Sequence, residues 1–256
     1  MSLTLEQYGR PIAKIINGHK SVISIVADKQ EIRDNDIRVA ERYKLPEGNA
    51  KFQQVPDTTR ERDILYICGP SGSGKSTYVV AYCKEYKKAY PKRPIYVLSS
   101  LEEDETLDQV KGLKRIKLDD RMISEPLQPN LFMESLVIAD DTDVIGDKKL
   151  RDAVIQLINQ ILEIGRHFKT SLIMTNHLST AGRDTRRILN EAHSITYFPH
   201  SGAVRGIMYL LEEYCGIDKK TAKTIKKLGS RWATVFKNYP MYVMTEHDIF
   251  KPDEDD

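Results

Sequence analysis

The sequence is poor in the residues that staple or anchor a chain. Its 256 residues include three cysteines, Cys68, Cys83 and Cys215. The count is odd, the spacing is wide and no Cys-x-x-Cys pair occurs. A disulfide framework and a clustered zinc site are thereby excluded, and a reducing, cytosol-like compartment fits. No apolar run reaches the roughly 18 residues that a spanning helix needs, so no membrane span is expected. The opening MSLTLEQYGRP lacks a basic start followed by an apolar stretch, so no secretion signal is expected. An excess of one charge is missing as well: the formal net charge is +2. That balance excludes a globally basic nucleic-acid binder and confines any basic surface to a local patch. Neither an internal repeat nor a low-complexity segment is present.

What is present suits one large α/β domain: 40% of residues are hydrophobic and 30% charged, enough apolar material for a core. Residues 11–27, PIAKIINGHKSVISIVA, read as a β-hairpin, because two β-branched runs flank Asn17-Gly18. Residues 28–60 read as a polar connector with a short helix over 34–43. DILYIC (63–68) is a buried strand leading into a glycine loop, followed by a helix over 75–88. Further strands are expected at 94–100, 115–118, 135–140, 171–176 and 194–198, with a helix over LEEDETLDQVK (101–111).

The clearest helix spans 148–164. Leu150, Ala153, Val154, Leu157, Ile158, Ile161 and Ile164 form its apolar stripe, and Gly165 stands where a C-terminal glycine belongs. Helices are expected at 204–214 and 218–228, a hairpin over 230–246 on the sheet edge, and a disordered acidic end. Strands alternating with helices predict a mostly parallel sheet covered on both faces. The chain divides on this reading into an N-terminal hairpin and connector (1–60), a core (61–200) and a C-terminal extension (201–256).

The chemistry is concentrated in Gly69, Pro70, Ser71, Gly72, Ser73, Gly74, Lys75, Ser76 and Thr77, which match G-x-x-x-x-G-K-[ST]. Glycines let backbone N–H groups curl around an anion, and the following helix aims its positive end at it. Lys75 neutralises the β/γ oxygens of a nucleotide, Ser76 offers its hydroxyl to magnesium and Thr77 approaches the α-phosphate. ATP and Mg2+ are therefore the expected ligands.

A second magnesium group is expected at Asp140, at the end of the apolar strand LVIA, with Asp141 as the general base for the attacking water. Asp143 is a third acid, read as a turn or helix cap. Asn176, ending SLIMTN, is read as the γ-phosphate sensor, with His177 as its rival. Arg166 is read as an arginine reaching a neighbouring subunit's γ-phosphate. Arg183, Arg186 and Arg187 are its rivals, or serve DNA or an interface. Lys219, Lys220, Lys223, Lys226 and Lys227 gather on one side of a helix opposite Ala222, Ile225 and Leu228. That face is either a DNA contact or an ordinary solvated one. The cluster Lys84, Lys87, Lys88, Lys92 and Arg93 is read as solvated.

Five segments together, GPSGSGKST, RPIYVLSS, VIADD, GRHFKTSLIMTNH and SRW, resemble the genome-packaging ATPases of large nucleocytoplasmic DNA viruses. These are the poxvirus-type members of the FtsK/HerA superfamily, and the resemblance covers roughly residues 60–245. It implies a RecA-like (ASCE) P-loop fold and a homo-oligomeric ring. It further implies ATP-driven movement of double-stranded DNA into a capsid, docking on a capsid or portal-vertex protein, and work in the host cytoplasm and the virion. Lys75 and Ser76 match the Walker A pair, Asp140 and Asp141 the Walker B pair, Asn176 the sensor and Arg166 the trans arginine. Two positions depart from the superfamily: Asp141 stands where Glu is usual, and Asn176 where Gln is usual. A second reading of the same residues is a P-loop kinase acting on a small metabolite or nucleoside, with GRDTRR (182–187) as its lid. A third is a nucleotide-dependent scaffold without activity.

Overall fold

The computed structural model describes residues 2–6, 8–17, 21–26 and 38–252. The P-loop strand is β6 (Ile64–Cys68), after five N-terminal strands: β1 (Ser2–Thr4), β2 (Arg10–Ile16), β3 (Val22–Val26), β4 (Tyr43–Lys44) and β5 (Lys51–Gln54). Beyond it come β7 (Ile95–Ser99), β8 (Leu113–Lys117), β9 (Leu136–Ala139), β10 (Ser171–Asn176) and β11 (Ser194–Tyr197). The chain finishes with β12 (Ala233–Phe236), β13 (Tyr242–Thr245) and β14 (Asp248–Phe250). The helices are α1 (Lys75–Ala89), α2 (Arg121–Ser124), α3 (Lys148–Ile164), α4 (Arg183–Glu191), α5 (Val204–Tyr209) and α6 (Lys219–Lys226).

The main sheet runs β4-β14-β13-β12-β11-β6-β10-β9-β7-β8. From β11 to β8 every pairing is parallel, and from β11 to β4 every pairing is antiparallel. β10 therefore lies between the P-loop strand β6 and the acid-bearing strand β9. Alternate residues of β6 enter different layers. Ile64, Tyr66 and Cys68 face α3, α4, α5 and α6, whereas Leu65 and Ile67 face Tyr78, Val79, Tyr82 and Cys83 of α1. Burial on both faces explains why these strands read as continuous apolar runs rather than as alternating ones.

The ends of α3 are settled by two side chains. Asp147 accepts the Leu150 N–H at 2.7 Å, an N-cap. At the other end, Arg62 donates to the carbonyls of Ile161 and Leu162, each at 2.7 Å, joining the Gly165 N–H on the first and serving the second, which the helix terminus leaves open. Gly165 follows with φ −63°, so left-handed backbone is not its reason for being glycine. A Cβ there would lie 2.8 Å from the Arg62 guanidinium. The apolar stripe drifts in the last turn: Leu162 is buried, and Ile164 is 39% exposed.

Several expectations change. The hairpin of 11–27 is present as β2 and β3, with Asn17 at φ 56°, and the rest of its turn lies outside the described residues. It belongs to a separate four-stranded antiparallel sheet, β1-β3-β2-β5. The face of that sheet, with Leu3, Ile12, Ile23 and Phe52, packs on Phe236, Tyr242, Met244 and Ile249 of β12–β14. The described part of the expected 34–43 helix is not helical; Ala40 bridges Leu3, and Tyr43 begins β4.

Residues 101–111 form only a 3-10 turn at Leu107–Gln109. Asp104 takes the Thr106 and Leu107 N–H groups for its own carboxylate, the local competition that keeps aspartate out of helix interiors. The expected 204–214 helix continues past α5 as a π-helical turn, Leu210–Tyr214. The 230–246 hairpin, β12 and β13, is interior, because β14 and β4 add beyond it. Residues 253–256 of the acidic end lie outside the described residues.

Truncating Leu157, 2% exposed on α3, to Ala is expected to lower the unfolding free energy by about 2–5 kcal/mol in urea denaturation. Ile164→Ala, about two turns nearer the exposed end, is expected to cost no more than about 0.5–1 kcal/mol.

Candidate nucleotide site

The loop from Gly69 to Gly74 joins the carboxyl end of β6 to the amino end of α1. Gly72 and Gly74 take φ of 73° and 111°, backbone that a side chain disfavours. At Gly69 the constraint is space, since a Cβ would sit 2.7 Å from both Phe198 and the Ser73 hydroxyl. The loop is tied to the sheet by the Gly69 N–H, which donates to the Asn176 carbonyl at 3.0 Å. The α1 N-terminus carries no side-chain cap and no acidic residue in its first turn. Its N–H groups are left for an external anion. The Ser73 hydroxyl is buried, with no hydrogen-bond partner among the described residues. These features fit a polyphosphate.

Lys75 is 6% exposed and folds back over the loop, donating to the Gly69 carbonyl at 2.9 Å. Its Nζ also lies 3.5 Å from Asp141 Oδ1. Asp140 and Asp141 follow β9, one strand beyond β10. Asp140 is 7% exposed; Thr175 donates to its Oδ1 at 2.9 Å and Ser99 to its Oδ2 at 3.2 Å. Burial, reinforced by the neighbouring Asp141 charge, raises the Asp140 pKa despite those two donors. A cation beside Asp140 would offset both effects, which fits the expected magnesium position. Asp141 stands in left-handed backbone at φ 44°, and its N–H donates to Thr175 Oγ1 at 2.9 Å. Thr175 thus fixes both acids from the intervening strand.

The sensor strand behaves differently from its sequence reading. The Asn176 side chain is fully buried, accepting from Thr142 at 3.1 Å and donating to Tyr66 at 3.3 Å. It holds the turn after Asp141 and does not face the loop. The rival, His177, does: its Nε2 is 3.5 Å from Asp141 Oδ2, and its Nδ1 is 3.6 Å from Asp143 Oδ1. Asp143 is a cap, as expected, but across the sheet: its Oδ2 accepts the His177 and Leu178 N–H groups at 2.9 and 3.0 Å. Asp141, Asp143 and His177 offer ligand atoms within 4.8 Å of one another, a second cation-capable cluster that sequence spacing did not disclose.

Arg166 is at the opposite end of the sheet from its own P-loop. It pairs with Glu61 at 2.9 Å, before β6 begins, whereas Gly69 follows β6. Five strand residues separate the two levels, roughly 13–16 Å of rise. That distance puts Arg166 out of reach of a nucleotide in its own P-loop. Arg62, Arg93, Lys169 and His193 line the same open groove as Arg166. Arg183, Arg186 and Arg187 are exposed along α4, which is pinned to the core by Thr185, Ile188 and Leu189. On α6, Lys219, Lys220, Lys223 and Lys227 are exposed and Lys226 half-exposed, with Ala222 and Ile225 buried, as the periodicity predicts. A cation that sequence reading noted only as part of SRW also reaches the loop: Arg231 lies against Gly74.

The fold and the phosphate loop are those of a P-loop NTPase, with an additional strand between the phosphate loop and the acidic strand. No protein-family model matches the chain. Over 248 residues, 96% of this chain and 96% of its counterpart, it is 38% identical to the uncharacterized protein V3 of Sputnik virophage, and it belongs to that protein's family. Among solved structures it resembles B204, the DNA-packaging ATPase from Sulfolobus turreted icosahedral virus. That match has a TM-score of 0.52 at 17% identity and covers 73% of this chain and 98% of that one. It also resembles the monomer form of the pCW3 conjugation coupling protein TcpA, solved with ATPγS. There the TM-score is 0.50 at 13% identity, covering 96% of this chain and 78% of that one. At such identities these likenesses concern the fold. Among the described residues, no helix is long and apolar enough to cross a membrane.

Asp140 gives a pH test. A carboxyl whose folded pKa is raised loses stability as pH climbs from its unfolded value through the folded one. Wild-type stability, without nucleotide, is expected to fall over that window relative to Asp140→Asn. The variant is expected to be the more stable protein at neutral pH in urea denaturation across a pH series.

Proposed function

We propose that this chain is an ATP-hydrolysing motor that translocates double-stranded DNA into a viral capsid. In this reading it works as a homo-oligomeric ring docked on a capsid or portal-vertex protein, in the host cytoplasm and the virion. One observation carries the hydrolytic part. Lys75 on the P-loop and the Asp140-Asp141 pair meet at the carboxyl ends of two strands, with Thr175 of the strand between them holding both acids. The packaging part is supported by membership in a virophage family and by the fold shared with B204, itself a DNA-packaging ATPase.

In the proposed reaction the γ-phosphate enters where Lys75 now contacts the Gly69 carbonyl and Asp141. Lys75 moves onto the phosphate oxygens and balances their charge as the leaving oxygen develops. Asp141, freed from Lys75, orients water for in-line attack and accepts its proton. Magnesium, held by Ser76 and Asp140, would neutralise the β/γ oxygens when bound. His177, against Asp141, takes over the sensing position, and Asn176 holds the turn beneath it. Arg166 completes a neighbour's site. The α6 lysines and the α4 arginines are the basic faces available to a DNA backbone, which a motor grips without reading sequence. The kinase reading loses its basis, because the segment assigned to a lid forms the first turns of the packed helix α4.

ATP turnover by the purified chain is expected to rise when linear double-stranded DNA is added and to vanish in Lys75→Ala. Arg166→Ala is expected to lose roughly 10³-fold in rate and to regain part of it when mixed with Lys75→Ala subunits. ATP binding without hydrolysis, with or without DNA and at every oligomeric state, would defeat the motor.

A further inference from the structure

Arg231 occupies a position that the hydrolytic site described above does not use. It precedes β12, and its backbone is clamped. The Arg231 N–H donates to Glu246 Oε2 at 3.0 Å, and the flanking Ser230 hydroxyl donates to the Trp232 carbonyl at 2.8 Å while accepting the Glu246 N–H at 3.1 Å. Trp232 anchors the same segment from the far side. Its ring meets Tyr78 of α1 edge-on at 5.1 Å, and it packs on both the α1 layer and the core of the N-terminal sheet.

From this root the guanidinium is laid flat on the phosphate loop. A Cβ on Gly74 would lie 3.0 Å from Nη2 and 3.3 Å from both Cζ and Nε. Near-equal distances to three atoms of one plane describe a face-on contact, and glycine at 74 permits it.

The electrostatics of that contact are unfavourable as they stand. Gly74 is the N-cap of α1, so Arg231 sits at the positive end of a helix dipole, on the same loop as Lys75. The Arg231 side chain is exposed, and no carboxylate among the described residues pairs with its guanidinium. Its neighbour Glu246 gives one oxygen to Lys51 at 2.7 Å and the other to the Arg231 backbone. Two side-chain cations gather at a helix N-terminus, and Asp141 reaches only Lys75 of the two, an arrangement suited to a polyanion.

We propose that Arg231 binds the phosphates of the nucleotide held in its own P-loop, a cis contact separate from the trans role given to Arg166. The inference rests on the nucleotide reading of the loop. Because Arg231 is rooted on Glu246, and Glu246 on Lys51 of β5, nucleotide charge acts on the seam between the N-terminal sheet and the core.

The test is equilibrium binding of ATP and of inorganic tripolyphosphate to the full chain, followed by calorimetry. The fluorescence of Trp232, the single tryptophan, provides a second readout. Arg231→Ala is expected to weaken both ligands by about 10-fold to 100-fold, the range for a charge-assisted contact, with Arg231→Lys between it and wild type. An unchanged near-UV signal from Trp232 shows that the hairpin is intact. Arg231→Ala binding tripolyphosphate as wild type does overturns the proposal, and loss of ATP affinity alone would instead place Arg231 on the base or sugar. Lys75→Ala separates the two readings. If it abolishes binding while Arg231→Ala leaves binding unchanged, the P-loop site stands and the Arg231 contact falls. If wild type binds neither ligand, both fall together.

Discussion

The site depends on keeping two adjacent carboxylates at the end of a buried strand. Asp140 is almost out of water, next to a second acid, and that arrangement is costly on its own. It persists because Ser99 of β7 and Thr175 of β10 donate hydroxyls from both neighbouring strands, and because Lys75 approaches Asp141 from across β10. Each of those partners is delivered by parallel pairing. Shift β10 by one residue against β9 and Thr175 would turn to the other face of the sheet. The sheet order is therefore a condition of the chemistry, and the unfavourable charge on Asp140 is what a divalent cation would relieve.

The chemistry at the loop was legible because its residue types are demanded one by one. Gly72 and Gly74 need positive φ, Lys75 needs a long cation, and Asp140 follows an apolar run that can only be a buried strand. The parallel core was legible for the same reason: strands buried on both faces read as unbroken apolar segments, and the α3 stripe repeats at helical spacing. Less legible was anything whose partner is distant in sequence. The N-terminal strands read as an isolated hairpin because the surface they cover, on β12–β14, lies some two hundred residues away. Residues 101–111 carry good helix formers, but Asp104 takes the backbone donors first. Asn176 and His177 are neighbours at a strand end. Period-two alternation sends one into the core and the other to Asp141, and the sequence did not say which. Arg231 gave no signal beyond its place in SRW.

These pieces make the P-loop the meeting point of three units. The sheet core supplies the acids. The C-terminal hairpin supplies Arg231 and, through Trp232, packs on α1. The N-terminal sheet joins that hairpin through a shared apolar cluster and the Lys51–Glu246 pair. Arg166 stands at the far end of the sheet, where its own nucleotide is out of reach. One chain thus carries a phosphate loop and acids at one end and Arg166, paired with Glu61, at the other. Head-to-tail contacts between copies bring such ends together, and they close into rings when the rotation between copies allows it.

On the proposed function, a complete hydrolytic site forms only between two copies. The direct measurement is specific ATPase activity, per milligram of wild-type protein, over a wide concentration range with sedimentation recorded on the same samples. Activity per chain is expected to rise with concentration and to level off as the assembly forms. Activity per chain that stays constant down to concentrations at which only monomer sediments would contradict it.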